Sequence, residues 1–554
     1  MPSRPALDDR TVVIGLCEEP DVLVQDFSLR HVSWAVLAPL MLKLVRYDDA
    51  WRPWPELAIR IPDRENGGWR TLADGRTEIQ WELLRDVHWH DGTPVTAHDA
   101  VFTYELLRRT PPPYPHHTII EAISEMIVPA GRDHTLIVRW RADEPFAMYE
   151  EWGTLLPRHL LAEEGLEDPE LRDVHPFLRA PVLDGPYRFS SWTPGSEIVL
   201  ERSGSHPRGL PSVQRLVFRF FPGPGELAAA VIDGTVDVTD LTGFSPADAE
   251  RIERDASDVR IIETPSFSWE HIDCNLEDEV LGDLRVRRAL AHALDRREIL
   301  ERLYRGRYEP ADSWLPPRHP AYNPHIHRYA HDPVRAAALL DEAGYRLGAD
   351  GLRHGRDGRP LTLSLVTTRR PAPGGLWTSS ATRPEMAEIV AQQFRRVGVT
   401  LEVELVDAGE LFPRLRRRRF KQLAMFAWSM SLETTGYLLW HSAKVPDDED
   451  WYGLNVSGWR NPSNDRLLDG ITEAGDSEER YDLMRRQQRD WSLELPALPL
   501  FFPASINTAK AGLANIRPAG VFGTYVTWNV WEWGWQAEPA TRPSRDLSTS
   551  PGAR

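Results

Sequence analysis

The chain has 554 residues, with 65 Lys and Arg against 83 Asp and Glu, a net charge of −18 and 41% hydrophobic residues. That length predicts roughly two to four domains, and the apolar fraction excludes wholesale disorder. The acidic balance argues against nucleic acid or an anionic membrane surface as the main partner, because both attract basic proteins. The 21 tryptophans outnumber both tyrosine and phenylalanine. Cys17 and Cys274 are the only cysteines, which excludes a disulfide scaffold and a zinc-finger-type site. No run approaches the ~18 apolar residues of a membrane-spanning helix. The opening MPSRPALDDR is polar and TVVIGLC is too short for a secretory core, so either the chain is cytoplasmic or its export leader lies outside this sequence.

In chain order, Thr11–Leu16 is β-branched and predicts a strand. Residues 28–47 carry apolar side chains at helical spacing, and 78–89 reads as a strand closed by a turn at Asp91-Gly92. Thr96 then opens a helix with Asp99 at the reciprocal capping position. A strand is expected at 135–140 and a hairpin over 187–190 and 197–202. Next come a strand at 216–221, a short helix at 226–232 and a strand at 236–239. In the second half, 286–304 reads as one long helix and 333–344 as another, bounded by Asp332-Pro333 and Gly344. Strand 361–367, helix 384–397 and strand 401–406 form a βαβ unit. A helix over 476–493 and a strand over 498–502 follow, and the Pro/Ser/Arg-rich end at 536–554 predicts disorder.

Enzyme-like signals are weak. Phe221-Pro-Gly-Pro-Gly225-Glu-Leu-Ala228 mimics a dinucleotide fingerprint, but its prolines remove amides that would meet a pyrophosphate, so it reads as a plain turn. His116, His117 and Glu121, or His325, His327 and His331, sit in Pro-rich segments and read as solvated histidines rather than metal ligands. No GxSxG, HExxH or P-loop occurs. The basic run Arg414–Arg419 reads as the solvated face of a helix. No catalytic residue, metal site or cofactor is expected.

Five segments together resemble the family 5 extracellular solute-binding proteins, the dipeptide- and oligopeptide-binding receptors of ABC importers. They are Trp89-His-Asp-Gly-Thr-Pro-Val-Thr-Ala-His-Asp-Ala-Val-Phe102; Asp184-Gly-Pro-Tyr187 with Trp192 and Pro194-Gly195; Asp233-Gly-Thr-Val-Asp-Val238; Leu284 to Arg296 (LRVRRALAHALDR); and His331 to Tyr345 (HDPVRAAALLDEAGY). Echoes follow at 458–468 and 494–500. The matches are collinear over residues 11–535.

The resemblance implies an α/β, two-lobed clam-shell of the type II, cluster C-like periplasmic-binding-protein class, with an extra inserted domain. Lobe I would comprise 11–50, 181–265 and 495–535, the inserted domain 51–180 and lobe II 266–494, with crossings near 265 and 495 forming the hinge. It implies a monomer at the extracytoplasmic face of the membrane, without a cofactor, that hands a peptide or similar polar solute to an ABC permease and its ATPase. An oligosaccharide or metal chelate in the same fold, or a non-exported sensor, are the rival expectations. In peptide-binding members an Asp after a Trp holds the ligand's α-ammonium. The matching stretch here is Ala427-Trp-Ser-Met-Ser431, so Ser431 stands where that Asp would be, and Glu433, Glu270 or Glu19 are the substitutes. On the Ser268–Asn275 strand, alternation puts Trp269 and His271 on one face and Glu270 on the other. This strand is expected either to line the cleft or to form a sheet edge. Trp269, His271, Trp428 and Trp440 complete the expected site.

Overall fold

A computed structural model describes residues 10–536 except 29, 51, 113–116, 142–154, 205, 267, 370–381, 431–433, 448–452, 475–476 and 519–524. Among the described residues three larger sheets organise the chain. The seven-stranded first sheet contains Thr11–Leu16, Arg215–Phe220 and Val238–Thr239 in parallel, extended on one side by the antiparallel pair Ala504–Lys510 and Val259–Pro265 and on the other by the Tyr187–Thr193/Glu197–Arg202 hairpin. The six-stranded second sheet contains Thr362–Thr368 between the parallel strands Thr400–Val406 and Leu423–Ser429, followed by Ser268–Cys274 and Ala497–Phe502. A four-stranded antiparallel sheet lies wholly within 69–140.

Two crossings join the first two sheets. Val259–Pro265 belongs to the first and Ser268–Cys274 to the second; Ala497–Phe502 belongs to the second and Ala504–Lys510 to the first. The second crossing is therefore at Pro503, beyond the 495 expected from sequence, because the 497–502 strand pairs with 268–274. At the crossings Ser266 donates both its backbone N–H (3.0 Å) and its Oγ–H (2.7 Å) to the Pro503 carbonyl. Ion pairs also bridge the two halves: Arg305 reaches Glu250 at 3.3 Å, and Arg307 reaches Glu253 at 2.7 Å and also Glu263.

Local chemistry explains most element bounds. Thr96 and Asp99 form the expected capping box on Ala97–Arg109. The 286–304 stretch is two helices, Leu284–Ala293 and Arg296–Tyr304, because Leu294 is extended and Asp295 caps the second helix through Glu298 N–H at 3.0 Å. The apolar 28–47 run is helical only over His31–Leu37; Pro39 follows, and Val45–Tyr47 pairs with Pro53–Pro55. The 78–89 strand stops at Glu82. Beyond it the Trp89–Thr93 turn closes through Trp89 N–H to Thr93 O at 2.8 Å, with Gly92 at φ +92°.

Two of the family-like motifs are docked on each other. His90 accepts from Leu183 N–H at Nδ1 (3.3 Å) and donates from Nε2 to Gly185 O (3.0 Å); burial holds its pKa down at about 4, so this neutral tautomer satisfies both contacts. Gly185 in turn donates to Leu40 O at 2.8 Å, and a Cβ there would lie 2.3 Å from the Leu40 carbonyl carbon. Asp184 Oδ1 accepts from Leu42 N–H at 3.0 Å. This carboxyl is fully buried, and desolvation raises its pKa to about 7.

Because the folded state binds the Asp184 proton more tightly than the unfolded chain, that contribution to stability is complete below the ordinary carboxylate range and is lost as pH rises towards 7. Asp184→Asn keeps an acceptor for Leu42 without the ionisation. We expect it to match the native protein near pH 4 and to exceed it by roughly 2 kcal/mol at pH 8. Thermal melts across that range check the outcome.

Candidate functional site

The strand directions bring both sheets' carboxyl ends to the crossings. In the first sheet Leu16, Phe220 and Thr239 end on the same side as Pro265. In the second, Thr368, Val406 and Ser429 end beside Ser268, which is paired in register with Ser429. Ligands of open α/β sheets bind beyond the carboxyl ends of strands, where the chain leaves the ladder and its polar groups become free. The space between the two sets of strand ends is thus the candidate site.

On the second lobe, Trp428 and Trp269 are register partners on one face of the sheet but have different surroundings. Trp269 is fully buried. It stacks on His271 (centroids 3.9 Å, 2°) and meets Trp440 and Trp491 edge to face at 6.1 and 5.7 Å. Trp440 is 2% exposed and also packs on Trp459 and Trp491. The indole Nε1 atoms of Trp269, Trp440 and Trp491 have no hydrogen-bond partner among the described residues. Trp269 and Trp440, expected in the cleft, therefore build its wall from behind. His271 is buried as well, donating from Nδ1 to Trp269 O at 3.1 Å with Nε2 3.5 Å from Asp273 Oδ1.

Glu270, a candidate counter-charge for a ligand ammonium, is already paired. Arg383, at the first position of the Arg383–Arg396 helix, donates Nε to Oε1 at 2.7 Å and Nη2 to Oε2 at 3.1 Å; its Nη1 donates to Thr368 Oγ1 at 3.1 Å. Both charged groups are buried, 0% and 5% exposed. The bidentate pair satisfies this carboxylate inside the lobe. The strand is central, between 423–429 and 497–502, and not a sheet edge.

Glu19 is likewise engaged. Oε1 accepts from Trp192 Nε1 at 2.8 Å and Oε2 from Gly195 N–H at 3.0 Å, so it clamps the turn of the 187–202 hairpin, while Arg179 lies 4.9 Å over the Trp192 ring. Ser431 and Glu433 lie outside the described residues. Cys17 donates Sγ–H to Thr242 O at 3.0 Å, and burial raises its thiol to about 12, so it is inert as a nucleophile.

Of the expected set, Trp428 borders a cavity. That cavity, about 240 Å³, lies beyond the 423–429 strand and is lined by Trp428, Met430, Thr435, Tyr437, Leu438 and Leu454. Sequence reasoning reached Trp428 through its motif and missed the rest; the signal was the Gly436-Tyr-Leu-Leu-Trp440 run, a glycine followed by an apolar turn. It also missed Arg383, which is 113 residues from Glu270 in sequence. A larger cavity, about 450 Å³, is lined by Thr93, Pro94, His98, Asp99 and Arg158 and lies wholly within 93–164, away from the strand ends that define the cleft. Among the described residues no group of three or more His, Cys, Asp or Glu could hold a metal ion, and no helix is long and apolar enough to cross a membrane. The 414–419 arginines are split: Ala408–Arg416 is helical, Arg414 pairs with Glu404 and Glu410, and Arg418 donates to Val456 O and Asn275.

Two mixed sheets joined by two adjacent crossings, with the candidate site between their strand ends, define a two-lobed clam-shell binding protein carrying an extra inserted domain. Residues 55–448 match the family described as bacterial extracellular solute-binding proteins, family 5 Middle, and the chain belongs to that family. It is 22% identical over 465 residues to the oligopeptide-binding protein AppA of Bacillus subtilis, covering 82% of this chain and 79% of the relative. Among solved structures, an oligopeptide-binding protein from Thermus thermophilus complexed with a pentapeptide is 27% identical with a TM-score of 0.66, over 95% of this chain and 96% of that one. NikZ from Campylobacter jejuni in complex with Ni(L-His) has a TM-score of 0.68 at 22% identity, over 95% and 100% of the two chains, which shows a shared fold.

Removing one partner of the Glu270–Arg383 pair strands a buried charge. Arg383→Met is expected to lower the unfolding free energy by about 3–5 kcal/mol, and adding Glu270→Gln to restore most of it. Urea denaturation of the two variants checks this, and a single variant as stable as the native chain would contradict it.

Proposed function

We propose that this chain is the ligand-capturing subunit of an ABC importer, holding a peptide between its lobes at the outer face of the membrane and delivering it to a permease driven by an ATPase. The observation that carries the reading is the family match across 55–448, together with a site at the strand ends where the two lobes face each other. Relatives named for oligopeptide and dipeptide binding, in Bacillus subtilis and Escherichia coli, support peptide as the ligand class. The chain acts as a monomer and by binding alone, without covalent chemistry. Its lobes hinge at Ser266 and Pro503, and residues 51–180 form the insertion. A ligand touching both lobes favours the closed form by its differential affinity for it.

Ser431 supplies no negative charge for a peptide's amino terminus, and Glu270 and Glu19 are engaged elsewhere. Glu433 is then the residue to counter the ammonium. Trp428 lines the ligand's path, with Trp269, His271 and Trp440 supporting it from behind.

A thermal-shift screen of short peptides, oligosaccharides and nickel–histidine chelates tests the ligand class. A peptide at 100 times its dissociation constant adds about 2.7 kcal/mol of stability. Stabilisation by chelates or sugars alone would overturn the peptide reading. Glu433→Gln is expected to weaken peptides with a free amino terminus about tenfold and to leave N-acetylated ones unchanged. Equal affinities for the native chain and the variant would remove Glu433 from that role.

A further inference from the structure

Val526–Glu532 is a 3₁₀ segment kinked at Asn529. With three residues per turn, side chains three apart fall on the same side, and the packing divides accordingly. Val526, Val530 and Trp533 belong to the first lobe's core, with Val12, Leu216 and Val238. Trp528 and Trp531 face the other way. Trp528, only 2% exposed, belongs to the buried cluster of the second lobe, with Trp269, Trp314, Trp440 and Phe502, and Trp531 packs against that cluster. The segment is therefore shared between two cores.

Polar contacts fasten it to the first lobe. Val526 N–H donates to Asp240 Oδ2 at 3.1 Å, just past the Val238–Thr239 strand, and Thr527 Oγ1–H donates to Ala35 O at 3.0 Å. Asn529 Nδ2 donates to Asn515 O at 2.8 Å, and Trp533 Nε1 to Asn529 Oδ1 at 3.2 Å. Trp528 donates its own indole N–H to Arg517 O, and the Arg517 guanidinium lies 5.1 Å from its ring. One lobe thus fixes the direction of this indole, and the other receives its apolar rings. The Arg305 and Arg307 ion pairs, which also bridge the halves, are partly exposed and weakened by salt. A buried tryptophan removes on the order of 150–250 Å² of surface from water, and salt does not screen that contact.

We propose that Trp528 is a wedge built into the first lobe that holds the second lobe against it before any ligand arrives. Separating the lobes returns the indole and part of the tryptophan cluster to water, so the contact favours the arrangement described here. A ligand entering the cleft has to wait for this contact to break, which slows capture, and the contact re-forms on closure, which slows loss. The resting balance between the two arrangements is then a property of the ligand-free chain, whichever ligand class the cleft takes. A ligand shifts that balance only by its differential affinity.

Small-angle X-ray scattering of the full ligand-free chain tests this, comparing the native protein with Trp528→Ala, Trp528→Phe and Val12→Ala. The native chain is expected to scatter as the structure described here does. Trp528→Ala is expected to raise the radius of gyration, and Trp528→Phe, which keeps a smaller ring, to raise it less. Val12→Ala, inside the first lobe's core, is expected to lower the melting temperature and leave the radius unchanged. In about 1 M sodium chloride, where screening acts within ~3 Å, the native radius is expected to stay the same. Should the alanine variant not fold, the expansion of Trp528→Phe carries the test. Equal radii for the native chain and the folded Trp528 variants overturn the wedge, as does a native chain already more extended than the structure. Expansion of Val12→Ala to the same degree overturns it too, because the effect is then general loosening. Expansion of the native chain in high salt overturns it in favour of the ion pairs. None of these outcomes bears on the peptide reading, which the ligand screen decides.

Discussion

The carbonyl of Pro503, accepting two hydrogen bonds from Ser266, fastens the two places where the chain passes between sheets. Because Pro503 has no N–H, the ladder cannot run continuously from one sheet into the other along this strand. The two sheets are thereby separate layers joined at the crossings, with Trp528 also packed into the second sheet's tryptophan cluster, and the strand ends that converge on the crossings border the candidate site. Around the crossings, the Arg305 and Arg307 ion pairs to Glu250, Glu253 and Glu263 bridge the halves with partly exposed charges that contribute little individually. Contacts of that kind restrain a rotation without fixing it, so a ligand spanning the gap can decide the balance.

Behind the cleft, the second lobe is held by interactions that tolerate little change. The Ser268–Cys274 strand is buried along its whole length. One face sends Glu270 into the Arg383 fork, and the other sends Trp269 into a group of indoles that includes Trp440 and Trp491. Nine of the 21 tryptophans lie in or against this cluster, where large rings fill the space behind the sheet, and seven more pack in or against the core that spans the first sheet and the 69–140 sheet.

Much of the architecture was legible in the sequence. Capping residues such as Thr96 and Asp332, the parallel βαβ unit over 362–406 and the collinear motifs all appear as expected. The bounds that moved did so for local reasons, as at Asp295, whose side chain starts a new helix inside an apolar periodicity, and at Pro39. The site was harder to read. Strand alternation assigns a side chain to a face but does not say whether that face meets solvent or another layer, so Trp269 and His271 could not be told from cleft residues. The partner of Glu270 comes from a distant helix start, and no local pattern announces it. Glu19 looked unencumbered because its partners, Trp192 and the Gly195 amide, belong to a hairpin far along the chain.

The register pairing of Trp269 with Trp428 separates two duties between neighbouring strands. The first indole keeps the sheet packed; the second, half-buried, borders the loop that shapes the pocket. Leu438, exposed at the edge of that cavity, can change without disturbing the packing behind it, whereas Met430 and Gly436 are held against the tryptophan cluster. A scaffold arranged this way can acquire a new diet without relearning how to fold.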